Sequence, residues 1–290
     1  MKELVRTDLP ELLVAGERAR AFVARSSLPF ALLAGIGADR IAGDVLRTIA
    51  VAVLSVVQLQ NAPRPYDVQQ VIGPAAGMIV ARRAGGRAGA LAYVGYSALT
   101  VALRWVDRFL SCNAASSRGE PGPVPFCPFT DLLTGALPLV AALAIGALIA
   151  TLIGDAPRTG TNALLEGAGA YVAFSALVML GATAFVVSAY GVSPQQVAFI
   201  VAVTAISGVL AGATIAFRSN SPLRTALLLA FVFVVTWIYP LGAGQFEMAA
   251  RADWAVRPEL LLFAVPLLDV VTIPLVARLV ASHSRLRDHG

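Results

Sequence analysis

Apolar stretches long enough to cross a lipid bilayer recur along most of this chain, and no other feature limits its folding as tightly. They run over approximately 43–60, 68–82, 88–106, 132–153, 164–189, 196–217, 225–244 and 259–281. A helix of about 20 residues, rising 1.5 Å per residue, crosses a hydrocarbon core about 30 Å thick. That core holds no water, so each stretch has to pair its own N–H and C=O groups, as a helix does. The expected fold is all-α: a polytopic integral membrane helix bundle of about eight transmembrane helices. Composition points the same way, with 58% of residues hydrophobic and 13% charged, and a mean hydropathy of +0.76.

Two stretches are expected to be irregular. The second is short and carries Pro74 between Gly73 and Gly77, which predicts a kinked or partly unwound span. Residues 28–42, with Asp39 and Arg40, are only half apolar, so an interfacial helix or re-entrant piece is expected there. The segment 1–27 lacks the basic, then apolar, then small-residue order of a signal peptide and reads as a cytoplasmic amino-terminal segment. Residues 28–281 read as a single transmembrane domain and 282–290 as a cytoplasmic tail. A weak internal echo is visible, in that pairs of spans are joined by turns rich in small residues. Small-xxx-small pairs such as Ala34 and Ala38 speak only of close helix packing.

With the amino terminus inside, 16 of the 22 basic residues fall on the cytoplasmic side and 6 outside, among them Arg64, Arg104 and Arg108. The positive-inside rule therefore predicts both ends in the cytoplasm. Basic residues scattered singly or in twos and threes are topology signals, and no nucleic-acid partner is expected. The same topology places the two cysteines, Cys112 and Cys127, in an outer loop, where a disulfide persists. A bridge closing about 14 intervening residues contributes about 3 kcal/mol in the loop-entropy model; the alternative is two unpaired surface thiols.

Several functions are excluded by composition. The one lysine, Lys2, leaves no membrane-embedded amine for a Schiff base, and both histidines, His283 and His289, lie in the terminal tail. No imidazole is left in the spans for haem, zinc or a histidine-dependent intramembrane hydrolase, and no cofactor or metal site is expected. No Walker A loop is present, so any use of ATP depends on a partner chain.

Asp269 is the most deeply placed acid, ten residues past Glu259 and nine before Arg278. Holding a carboxylate there costs at least about 2.5 kcal/mol on insertion scales. Pro266 and Pro274 flank it and free backbone carbonyls nearby. Two readings stand: a functional acid facing a cavity or coupled ion, or a protonated, hydrogen-bonded structural acid. A second polar group gathers at the outer mouth, with Asp67, Gln69 and Gln70 beside Arg104, Asp107, Arg108 and Asp131; it reads as a pocket lining or as ordinary polar helix ends. Trp105, Trp237, Tyr239 and Trp254 read as an outer aromatic belt, and Glu166 as an acid favoured by a helix amino terminus.

The stretch PYDVQQVIGPAAGMIVARRAGGRAGALAY, with Pro65, Gln69, Gly77, Gly85 and Tyr93, resembles the biotin transporter S components of bacterial energy-coupling factor transporters. Pro266 and Asp269 occupy a context similar to that family's closing element. The family's threonine is Asp67 here, its terminal lysine is missing, and the chain is about two spans longer. The resemblance implies a bacterial cytoplasmic membrane, separate nucleotide-binding subunits, and a substrate site using Gln69, Tyr93 and Asp269, opening outward near Asp67 and Arg104. The expected function is transport of a small solute. The alternatives are a non-catalytic integral subunit of a larger membrane complex, and an intramembrane lipid or isoprenoid enzyme in which Asp269 and Glu166 act as acid and base.

Overall fold

The computed structural model describes residues 27–57, 65–117, 127–153, 162–186, 194–242 and 265–287. Among these the regular elements are all α-helices, with no strand. They are α1 Ser27–Val57, α2 Pro65–Ser117, α3 Cys127–Leu152, α4 Ala163–Val186, α5 Pro194–Arg218, α6 Pro222–Gly242 and α7 Val265–Arg287. Prolines open α2, α5 and α6, at the position where a missing N–H costs nothing. The Asn162 side chain caps α4, its Oδ1 accepting from the Leu164 N–H at 3.0 Å.

α2 is two rods in one element. At Gly86 the backbone turns to φ +63°, ψ −147°, a conformation essentially reserved for glycine. Beyond it the chain doubles back, so that Gly89 lies against the Ala81 backbone and the Tyr93 hydroxyl against Gly77. The arms 65–85 and 87–117 are therefore antiparallel neighbours. Counted this way, the described residues form eight helical rods that overlie the eight apolar stretches.

Two expectations are corrected. Residues 28–42 are not a separate interfacial or re-entrant piece but the first half of α1, continuous through Val57. Phe30, Ala31, Ala34, Ile36 and Ala38 are buried there, because α1 packs against both arms of α2 and against α4. Pro74 stays inside regular helix, and the break falls at Gly86 instead. The carboxyl-terminal tail is helical as far as Arg287. Residues 1–26 lie outside the described residues.

The rods repeat as two sets of four. Leu33, Gly35, Gly37 and Ala38 in α1 recur in the same order and spacing as Leu165, Gly167, Gly169 and Ala170 in α4. The contacts are reciprocal in the same register: Gly37 meets the Leu165 carbonyl, and Gly169 meets the Leu33 carbonyl. Each set has its own core. Ile36, Met78, Ala81 and Tyr93 form one, with Val172 and Ala173 of α4 packed on it. Ala211, Ile215, Leu229, Phe233 and Ile273 anchor the other, with Ile41 of α1 packed on it. Ile41 and Ala173 are themselves equivalent positions of the repeated segment. In each set the fourth rod closes on the second through glycine, Gly146 of α3 on Ala75 and Gly212 of α5 on the Ile273 carbonyl.

Many alanines are buried among the core residues, and many large apolar side chains stand on the surface. Ala31, Ala34, Ala81, Ala142, Ala168, Ala211, Ala226 and Ala277 are buried, whereas Leu91, Leu137, Leu148, Phe231, Leu267 and Val271 are exposed. α5, over Ala198–Arg218, is the one described helix long and apolar enough by itself to cross a membrane; Ala136–Leu152, Ala163–Val178 and Pro222–Thr236 are shorter apolar helical stretches.

Candidate functional site

Charged and polar side chains inside the bundle are few, and each has a specific neighbour. The Tyr93 hydroxyl, fully buried, donates to Asp39 Oδ2 at 2.6 Å, joining the second arm of α2 to α1. Gly73, on the first arm, faces the same carboxylate, and the backbone can approach because no Cβ stands there. One residue on, Arg40 pairs with Asp44 at 2.6 Å along the helix. Arg104, eleven residues past Tyr93 and hence on the same helix face, is exposed and within electrostatic reach of Asp39.

The second set holds a matching pair. The Tyr171 hydroxyl donates to Asp269 Oδ2 at 2.9 Å, joining α4 to α7. The Tyr171 ring leans on Phe233 of α6, centroids 4.8 Å apart and planes tilted 54°, and Thr204 of α5 adjoins its hydroxyl. Asp269 is only 3% exposed, yet its other oxygen, Oδ1, has no hydrogen-bond partner among the described residues. Ser207 and Thr272 direct their hydroxyl hydrogens to carbonyls of their own helices, Val203 O at 2.7 Å and Leu268 O at 2.8 Å. Their lone pairs remain available to accept.

Glu166, 0% exposed, is held by both ends of a guanidinium: Arg218 Nε to Oε2 at 2.8 Å and Nη2 to Oε1 at 3.2 Å. Arg218 also lies over the Phe30 ring, 4.5 Å from its centroid. This assembly ties α4, α5 and α1 together. Glu166 is thus a structural counter-ion and not simply a helix-terminal acid, and its bidentate pairing leaves it unsuited to act as a general base with Asp269.

The sequence-predicted site residues divide between the two sets. Tyr93 and Asp269 are both buried, but in different pairs, because the Tyr93 hydroxyl is committed to Asp39 and Asp269 draws its donor from α4. The residues that adjoin Asp269 are Tyr171, Gly208 and Thr272. The side chains of Asp67, Gln69, Cys112 and Cys127 lie outside the described residues, and with them the expected outer pocket and disulfide. Asp39 and Tyr171 escaped the sequence reading. They occupy the same place in the repeated Leu-x-Gly-x-Gly-Ala-x segment, which was the signal that marks both.

No group of three or more metal-ligating side chains occurs among the described residues. No family model matches the chain, and neither does a curated protein or a solved structure.

Proposed function

We propose that the chain is an eight-span, N-in/C-in integral protein of a bacterial cytoplasmic membrane that transports a small solute. The observation that carries the transport reading is Asp269: a deeply buried carboxyl in the repeat interior, held on one oxygen by Tyr171 and open on the other. Such a group is costly to keep in a bundle and is expected to face a substrate or ion pathway. Two repeated four-rod sets meeting at close-packed glycines match the way many transporters are built, with sites near the repeat interface.

The membrane reading rests on the many large apolar side chains exposed on the surface over helices that approach closely through alanine and glycine. Large side chains on the surface and alanine or glycine inside suit a bundle whose solvent is lipid, where close backbone approach replaces the hydrophobic drive. The positive-inside orientation agrees with the two tight turns, since Arg82, Arg83 and Arg87 flank Gly86, and Arg218 and Arg224 flank the turn between α5 and α6. The resemblance to biotin transporter S components adds energising nucleotide-binding subunits as partners, and a Cys112 to Cys127 bridge restraining the outer loop belongs to the same reading.

The second reading, a non-catalytic subunit of a larger membrane complex, draws on the same exposed apolar surface. Thermal unfolding of the purified chain against a panel of vitamins, amino acids and organic ions separates the two. A ligand at 100 times its Kd stabilises by about 2.7 kcal/mol. A ligand shift lost in Asp269→Asn supports transport; a flat panel together with stoichiometric co-purification of partner chains transfers the conclusion to the subunit reading.

A further inference from the structure

Resting on the transport reading, we propose that Asp269 is the seat of a coupling ion, binding one small monovalent cation, H⁺ or Na⁺, at its free oxygen. The claim deepens that reading by naming what the open carboxyl takes up, independently of the transported solute.

Three features of the surroundings lead there. The carboxyl is enclosed, and Oδ1 points to a place where no donor stands among the described residues. An ionised carboxyl so placed is half satisfied and uncompensated, which is costly in a low-dielectric interior. A proton on that oxygen, or a sodium ion beside it, removes the charge.

Among the described residues, the groups facing it include no fixed cation to do this instead. From α4 the titratable neighbour is Tyr171, which donates to Oδ2. α5 brings Thr204 to the Tyr171 hydroxyl and Gly208 to Asp269, and α6 brings Phe233 against the Tyr171 ring, none of them charged. The nearest arginines on these elements are Arg218, ten residues past Gly208, and Arg224, nine before Phe233. Arg278 lies nine residues along α7. Such separations amount to about 13–15 Å of helix rise, and Arg218 is paired with Glu166. Arg40 of α1 comes within electrostatic reach of Tyr171, but its own carboxylate partner is Asp44.

The third feature is the lining on that side. A Cβ at Gly208 would run into Thr272 Oγ1 and come to 3.5 Å from Asp269 Oδ1. Glycine at this position therefore lets the α5 backbone pack directly against Thr272 beside this oxygen. Thr272, whose hydrogen is spent on its own helix, offers an oxygen lone pair on that side. A carboxylate oxygen beside a neutral hydroxyl oxygen suits a hard monovalent cation or a proton.

The test is thermal unfolding of the full chain in detergent or nanodiscs. One series varies Na⁺ at constant ionic strength, with N-methylglucamine as replacement; the other varies pH without Na⁺. If the ion is sodium, the parent gains stability with Na⁺ in a saturable way. If it is the proton, the parent gains stability as pH falls and Na⁺ adds nothing. In either case Asp269→Asn loses the response while remaining folded, Asp269→Glu retains it, and Gly208→Ala weakens apparent cation affinity by about tenfold, as displacement of supporting groups around an ion does. A parent indifferent to both Na⁺ and pH, or an Asp269→Asn variant that responds as the parent does, overturns the proposal. Should a solute hit persist while the cation response is flat, the coupling site fails and the transport reading survives. Should the cation response hold while every solute and transport assay is flat, the transport reading fails alone.

Discussion

Gly37 and Gly169 lie backbone to backbone where α1 meets α4, each closed over by the carbonyl of a leucine from the other helix, Leu165 and Leu33. No side chain fits between them. Gly37→Val or Gly169→Val is expected to force the two sets of rods apart and destabilise by about 1–3 kcal/mol or more. Gly95, with nothing within 4 Å of an added Cβ, is the control: Gly95→Ala should be neutral or slightly stabilising. Unfolding in mixed SDS and detergent micelles measures the difference, and equal losses at Gly37 and Gly95 would refute the crossing.

Gly86 reverses α2 at positive φ in otherwise open space. Gly86→Ala meets no steric neighbour, so its whole cost is conformational, about 1–3 kcal/mol. A loss of folded yield or of melting temperature on size-exclusion or thermal assays is expected. An unchanged melting temperature would mean that the hairpin is not formed.

Arg218 neutralises a completely buried Glu166. Arg218→Met leaves that carboxylate without a partner and should cost about 3–5 kcal/mol, whereas adding Glu166→Gln to it should recover most of the loss. The double-variant cycle in unfolding experiments reads this directly, and additive losses would sink the pairing.

Tyr171 and Asp269 are joined by one hydrogen bond across α4 and α7. The cycle Tyr171→Phe with Asp269→Asn should give a coupling of about 0.6 kcal/mol, reaching about 1.7 at most, as polar pairs between membrane helices do. Tyr93→Phe, in the other set, should add independently to Tyr171→Phe, because the two hydroxyls serve different carboxylates.

The proposed topology makes the Gly86 turn cytoplasmic. In a background with Cys112 and Cys127 replaced by serine, Arg83→Cys should react with a membrane-impermeant maleimide in inside-out vesicles and not in intact cells. Labelling from the outside would reverse the orientation.

Helix content was legible in the chain itself, since hydrophobic length and the punctuation by arginine, glycine and proline are local properties. The depth of Asp269 was legible for the same reason: its distance from Glu259 and Arg278 is a matter of sequence spacing. Burial of residues 28–42 was not. Asp39, Arg40 and Asp44 look too polar for a helix interior until Tyr93 supplies a donor to the first and Arg40 closes on the third.

The sequence by itself determined that this chain is helical and that one acid lies deep in its last helix. Only the tertiary structure decided which tyrosine meets which aspartate, that Glu166 is spent on Arg218, and that Asp269 keeps a free oxygen. Local periodicity fixes an individual helix, whereas pairing across helices depends on how closely backbones approach, and here that approach is set by a handful of glycines.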